Sequence, residues 1–249
     1  MEGSSFIIET LSGLILFAVG VRVLKLAART AGRPEWLLAT YLVLSGISYW
    51  FYSIPLMLDL GALFTPLTFT GRVIFSISVY FMLEFTRLVF RSGQAWATLL
   101  VYALMLSLFA GVGVSSIQGD WDGYSVSNPW FWPEWLGYTL APLWVGIEGA
   151  LAYRDALKRV RIGLCEPILA NRYLLWALFG LFQVCSSLVI VVLYAGYEAE
   201  QSFAFGFDLV LCSFEILTAL MVWLAFCAPK FYRNWIAEGA SSATSQTGS

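Results

Sequence analysis

The chain has 249 residues, of which 59% are hydrophobic, 17% aromatic and 12% charged, with a net charge of −2 and a mean hydropathy of +0.77. A soluble domain carries about a quarter charged residues, so this composition excludes that class, together with disordered chains and small disulfide scaffolds. The absence of histidine removes the commonest general base and the usual haem and zinc ligand.

A helix needs about 20 mostly apolar residues to cross a hydrocarbon core about 30 Å thick. Seven stretches meet that requirement in chain order: 6–26, 36–59, 67–90, 95–115, 135–157, 172–194 and 203–227. They predict an all-α integral membrane protein, one seven-helix bundle over residues 1–236. The alternating short segments of a membrane barrel are not evident. The start MEGSSFIIET is acidic and lacks a basic n-region, so the first span is expected to be retained rather than cleaved as a signal peptide. Residues 237–249, small and polar, are expected to form a disordered cytoplasmic tail.

Charge gives the direction. Arg22, Lys25, Arg29 and Arg33 follow the first span, Arg87 and Arg91 end the third, Arg154, Lys158, Arg159, Arg161 and Arg172 lie between the fifth and sixth, and Lys230 and Arg233 follow the seventh. With seven spans, all of these share one side, and Arg72 alone lies toward the other. The opposite side carries Glu2, Glu9, Asp59, Asp120, Asp122, Glu134, Glu198 and Glu200. The positive-inside rule then predicts an outer amino terminus and a cytoplasmic carboxyl terminus. Cys165, Cys185, Cys212 and Cys227 avoid the outer connections and match no metal spacing, so neither an outer disulfide nor a metal site is expected.

An ionisable side chain at the centre of a membrane helix costs about 2.5–3.5 kcal/mol on insertion scales, so those present are candidate site residues. Arg72 and Asp208 both lie about two turns or less from the outer ends of the third and seventh spans, with Glu9 near the outer end of the first. The expected arrangement is an Arg72–Asp208 pair with Glu9 as second acceptor, either a structural ion pair or part of an outward-facing pocket. Glu215 follows Asp208 by two helical turns on nearly the same face. With Glu148 in the fifth span, Asp208 and Glu215 could form an acid column for a proton or cation path. Polar packing between helices is the plainer account.

On the third span, Glu84, Arg87 and Arg91 share a face near the cytoplasmic surface. An internal ion pair, or a switch against Arg154, Lys158, Arg159 and Arg161, fits that face. The basic segment 154–161 suits anionic lipid headgroups, with a cytoplasmic effector protein as the other possible partner. A net charge of −2 argues against nucleic-acid binding. The outer connection, residues 118–138, carries Trp121, Trp130, Trp132 and Trp135. These rings suit the membrane interface or, in the case of Trp130 and Trp132, a lid over an outer pocket.

Seven spans with this polarity resemble the microbial rhodopsins in topology. Those proteins hold retinal on a lysine four residues after an aspartate in the last span, where this chain has Cys212, and no lysine falls in the seventh span. No cofactor, and no covalent retinal, is expected. The segments GRPEWLLATYLVLSG, EFTRLVFRSGQAWA and WLAFCAPKFYRNWI resemble a family of uncharacterised bacterial seven-helix membrane proteins. That resemblance implies a receptor-like module of the bacterial inner membrane and supplies no catalytic residues. Three functions follow as expectations: a receptor-like or sensory protein acting through a separate partner, a small-solute or proton/cation transporter, and a structural or assembly subunit. With no nucleophile motif or metal-ligand cluster, an enzyme is not expected.

Overall fold

A computed structural model describes residues 2–58, 60–121, 125–198 and 204–246. Among them run eight α-helices: α1 (Glu2–Thr30), α2 (Arg33–Leu58), α3 (Phe64–Phe90), α4 (Ala95–Ile117), α5 (Phe131–Arg161), α6 (Pro167–Glu198), α7 (Ala204–Cys227) and α8 (Lys230–Gln246), with a 3-10 turn over Gly61–Leu63 before α3. Five stretches are long and apolar enough to cross a membrane: Thr10–Thr30, Gly61–Phe90, Ala95–Ile117, Pro167–Gly196 and Leu209–Cys227. Among the described residues the chain is all-helical, and these stretches make it a multi-pass membrane protein. Helix is the secondary structure such a chain adopts, because hydrocarbon offers no partner to an unpaired backbone N–H or C=O. The other two expected spans correspond to α2, which contains Pro55, and α5, which contains Pro142 and ends in a charged turn.

The helices join at short turns with distinct backbone chemistry. Gly93, between α3 and α4, has φ 78°, and Gly163, after α5, has φ 74°. Both are left-handed conformations that cost a glycine little. Between α1 and α2 the left-handed residue is Ala31, at φ 52°, although Gly32 is its neighbour.

Helix neighbours define the bundle. α1 packs on α2 and α7, α2 on α3, α3 on α5, α5 on α6, and α6 on α7, so these six close a ring; α4 packs over the seam between α3 and α5. Aromatic side chains fill the middle: Tyr41 of α2 meets Phe179 of α6 edge-on at 6.3 Å, and Phe85 of α3 lies 5.8 Å from Trp176 of α6. Small residues bring α5 and α6 together. A Cβ at Gly180 would stand 2.5 Å from both the Gly146 Cα and the Pro142 carbonyl oxygen, the close backbone approach that glycine permits between membrane helices. The outer face of α4 presents Leu99, Tyr102 and Leu106, all exposed. Spacings of three and four residues put them on one stripe, suited to lipid.

Two stretches differ from the sequence expectation. The segment 154–161, expected between the fifth and sixth spans, is helical: α5 continues through Arg161, its Lys158, Arg159 and Arg161 favourably placed at the negative end of the helix dipole. Residues 237–246, expected as irregular tail, continue α8. Once Lys230–Ile236 has formed the first turns, each further residue adds a hydrogen bond without a new nucleation cost, and the Asn171 side-chain amide donates to the Tyr232 hydroxyl at 2.9 Å to hold those first turns against α6.

Candidate functional site

The polar interior is organised around α3, and its centre is Arg72, 2% exposed. Nε donates to Glu134 Oε1 at 2.7 Å, and Nη2 donates to Ser115 Oγ at 2.6 Å and to Glu134 Oε2. Nη1 donates to the carbonyl oxygens of Asp120 at 2.9 Å and Trp121 at 3.3 Å. A guanidinium has five N–H donors, and these five contacts use them all. The fork ties α3 to α4 through Ser115, to the connection through Asp120 and Trp121, and to α5 through Glu134.

Glu134 reaches this position for local reasons. It lies in the first turn of α5, where the helix dipole favours a carboxylate. Gly111 of α4 makes room, since a Cβ there would stand 2.6 Å from the Glu134 Cβ and 2.7 Å from its backbone nitrogen. Below the pair, Ser76 Oγ donates to the Arg72 carbonyl at 2.8 Å and lies 2.8 Å from the Tyr138 hydroxyl. The sequence pointed to Asp208 as the acceptor for Arg72; among the described residues the carboxylate that meets Arg72 is Glu134. The side chains of Asp208 and Glu9 lie outside the described residues.

The aromatic connection is partly built into the bundle. Trp121 meets Phe69 edge-on at 5.1 Å, and Trp135 Nε1 donates to the Ser187 carbonyl at 2.8 Å. Trp130 is half-buried at the start of α5, its backbone N–H donating to Asn128 Oδ1 at 3.0 Å, while Trp132 is exposed, 5.8 Å from Trp135.

At the other end of α3 there are three further ion pairs. Glu84, 7% exposed, accepts from Arg87 Nε at 2.7 Å and Nη2 at 2.6 Å, and from Arg33 Nη2 of α2 at 3.3 Å. Arg91 Nε donates to Glu148 Oε1 of α5 at 2.6 Å, and Trp144 Nε1 donates to the same oxygen at 3.1 Å. Arg91 also lies over the Trp96 ring, 5.8 Å from its centre, within range of a cation–π attraction. Farther along α5, Asp155 pairs with Lys158 at 3.2 Å and Arg154 at 3.4 Å, all exposed, as are Arg159 and Arg161. An ion pair therefore joins α3 to α5 at each end, Arg72–Glu134 at the aromatic end and Arg91–Glu148 at the basic end.

The described acids expected in a conducting column lie on α5 and α7. Glu215 is half-buried on α7, Glu148 is held on α5, and α6 packs against both of those helices. Sequence reasoning did not select Glu134, Ser115 or Trp144 as partners. The available signal was depth: Glu134 sits at the aromatic end like Arg72, and it opens a helix. No protein-family model, no curated protein and no solved structure matches the chain.

Proposed function

We propose that the protein is a receptor-like seven-span protein of a bacterial inner membrane, amino terminus outside, that signals through a separate cytoplasmic effector. The observation that carries this reading is the two ion pairs joining α3 and α5 at opposite ends, Arg72–Glu134 buried and Arg91–Glu148 part-buried. A buried ion pair adds little net stability because both charges lose water, yet breaking it leaves an uncompensated charge. Such contacts favour one helix arrangement over its alternatives, which is what a signal carried by helix shifts requires. The aromatic-end pair is continuous with the carbonyls of Asp120 and Trp121, so a ligand that moved the connection would act on α3 and α5 together. Because the Arg72 donors are fully used, ligand contact falls to the half-buried Trp130 and exposed Trp132 rather than to Arg72. The basic end of α5, Arg154 to Arg161, is the face offered to the effector. A transport path through Glu148 is the weaker reading, since Arg91 and Trp144 already hold that carboxylate.

Spin labels at Val89→Cys and Ile162→Cys, in a background lacking native cysteines, test the coupling in nanodiscs. The Glu134→Gln substitution, made at the opposite end, is expected to add a second distance population between the labels. An unchanged distribution would refute coupling between the ends, and a proton flux in proteoliposomes that disappears in Glu148→Gln would replace the receptor reading with transport.

A further inference from the structure

At the basic end, α1 and α6 both pack on α7 and leave a cleft of about 590 Å³ between them. Arg22, Lys25 and Arg29 of α1 line one wall, Arg172 of α6 the other, and Phe226 of α7 lies at the back. The three α1 cations are spaced by three, four and seven residues, so they form one stripe about 10 Å long on the helix. Toward the middle of the span the same wall continues as Ala18 and Val21. A second cleft of about 400 Å³ shares Arg22, Arg172 and Phe226 and adds Arg233 and the exposed carboxylate Glu166.

Among the described residues, Arg22, Lys25, Arg29 and Arg172 make no ion pair and no side-chain hydrogen bond. This differs from Arg72, Arg87 and Arg91 along α3 and its C-cap and from Arg33, all of which have a carboxylate partner. Arg22 lies inside the membrane-crossing stretch Thr10–Thr30, eight residues or about 12 Å from its end. A cation at such a depth is costly without a counter-charge. The bilayer itself supplies one in the phosphate of an anionic lipid.

We propose that this cleft is a specific site for one anionic phospholipid. The phosphate sits among Arg22, Lys25, Arg29 and Arg172, and an acyl chain lies along Ala18, Val21 and Phe226. The order of the wall, apolar toward mid-span and cationic toward the end, matches an amphiphile; a free phosphate would satisfy the charges and leave the apolar half uncovered. Basic clefts between membrane helices recognise headgroups in this way. The site is separate from the solvent-exposed cations of α5, two of which already share Asp155, and it does not depend on the receptor reading.

Native mass spectrometry of the full chain, titrated with phosphatidylglycerol or with phosphatidylcholine of the same acyl chains, tests the assignment. One phosphatidylglycerol per chain is expected to be retained preferentially, and Arg22→Gln/Arg172→Gln to weaken it by about tenfold or more. Arg154→Gln/Lys158→Gln removes as much charge outside the cleft and is expected to leave the lipid bound, as is the charge-retaining Arg22→Lys/Arg172→Lys. Equal retention of the two lipids, or equal loss in the α5 control, would overturn the site. Displacement by millimolar glycerol 3-phosphate would overturn the lipid assignment in favour of a soluble phosphate ligand. Photocrosslinking of the unsubstituted protein with a diazirine-bearing phosphatidylglycerol needs no variant: crosslinks at residues 18–29 and 226 support the site, and their absence there counts against it.

Discussion

The contrast between Arg72 and Arg22 shows what decides the role of a cation in a membrane helix. Arg72 is buried with all five donors used, so it acts as a staple between three helices and a connection. Removing its charge strands Glu134 in the interior. Arg72→Gln is therefore expected to destabilise the fold by about 3–5 kcal/mol, read as a lower unfolding midpoint in detergent. The double variant Arg72→Gln/Glu134→Gln removes both charges and is expected to recover part of the loss. Additive effects of the two single substitutions in this cycle would show that the pair is not coupled. Arg72→Lys keeps the charge but not the planar fork, so it cannot serve two carboxylate oxygens, a hydroxyl and two carbonyls together; its midpoint should fall close to that of Arg72→Gln. Ala31 makes a smaller prediction. Its left-handed backbone costs a residue with a Cβ about 1–2 kcal/mol, so Ala31→Gly is expected to raise the midpoint slightly despite the flexibility it adds to the unfolded chain.

Between helices, side-chain volume decides how α5 meets its neighbours. Gly180 and Gly146 let the backbones of α6 and α5 touch, and Gly111 lets α4 admit the backbone of Glu134. Gly180→Leu is expected to force α5 and α6 apart, at a cost of about 1–3 kcal/mol or more, and to impair assembly as judged by size-exclusion chromatography. A profile and unfolding midpoint like those of the unsubstituted protein would show that the contact is not tight. The same elements connect packing to the proposed signal. α5 is held to α6 through glycine contacts and to α3 through ion pairs, so a shift that breaks the pairs leaves the glycine seam as its pivot. Glu148→Gln weakens the charge on the basic-end pair while Trp144 keeps a hydrogen-bond acceptor, and increased maleimide reactivity at an introduced Val89→Cys would report the loosening.

For the whole molecule, the decisive measurement is the side of the membrane on which each end lies. Maleimide labelling of Ser4→Cys and Ser245→Cys in sealed vesicles is expected to place them on opposite faces, the odd-span result; labelling on one face would require an even number of spans. The membrane class, and helices over all seven apolar stretches, follow from the sequence by itself, because a 20-residue apolar run has few ways to satisfy its backbone except as helix. Given seven spans, the sorting of thirteen cations from Arg72 is equally a property of the sequence. Which carboxylate meets Arg72 is not. Asp208 and Glu134 sit at similar distances from helix ends, and the Glu134 contact rests on α4 and α5 flanking α3 and on the absence of a Cβ at Gly111. Likewise, Arg22, Lys25 and Arg29 read as one stripe in sequence, but only the gap between α1 and α6 sets Arg172 opposite them. Periodicity and depth are local along the chain. Partner choice depends on the rotation and adjacency of helices, which side-chain volumes settle only when the bundle is assembled.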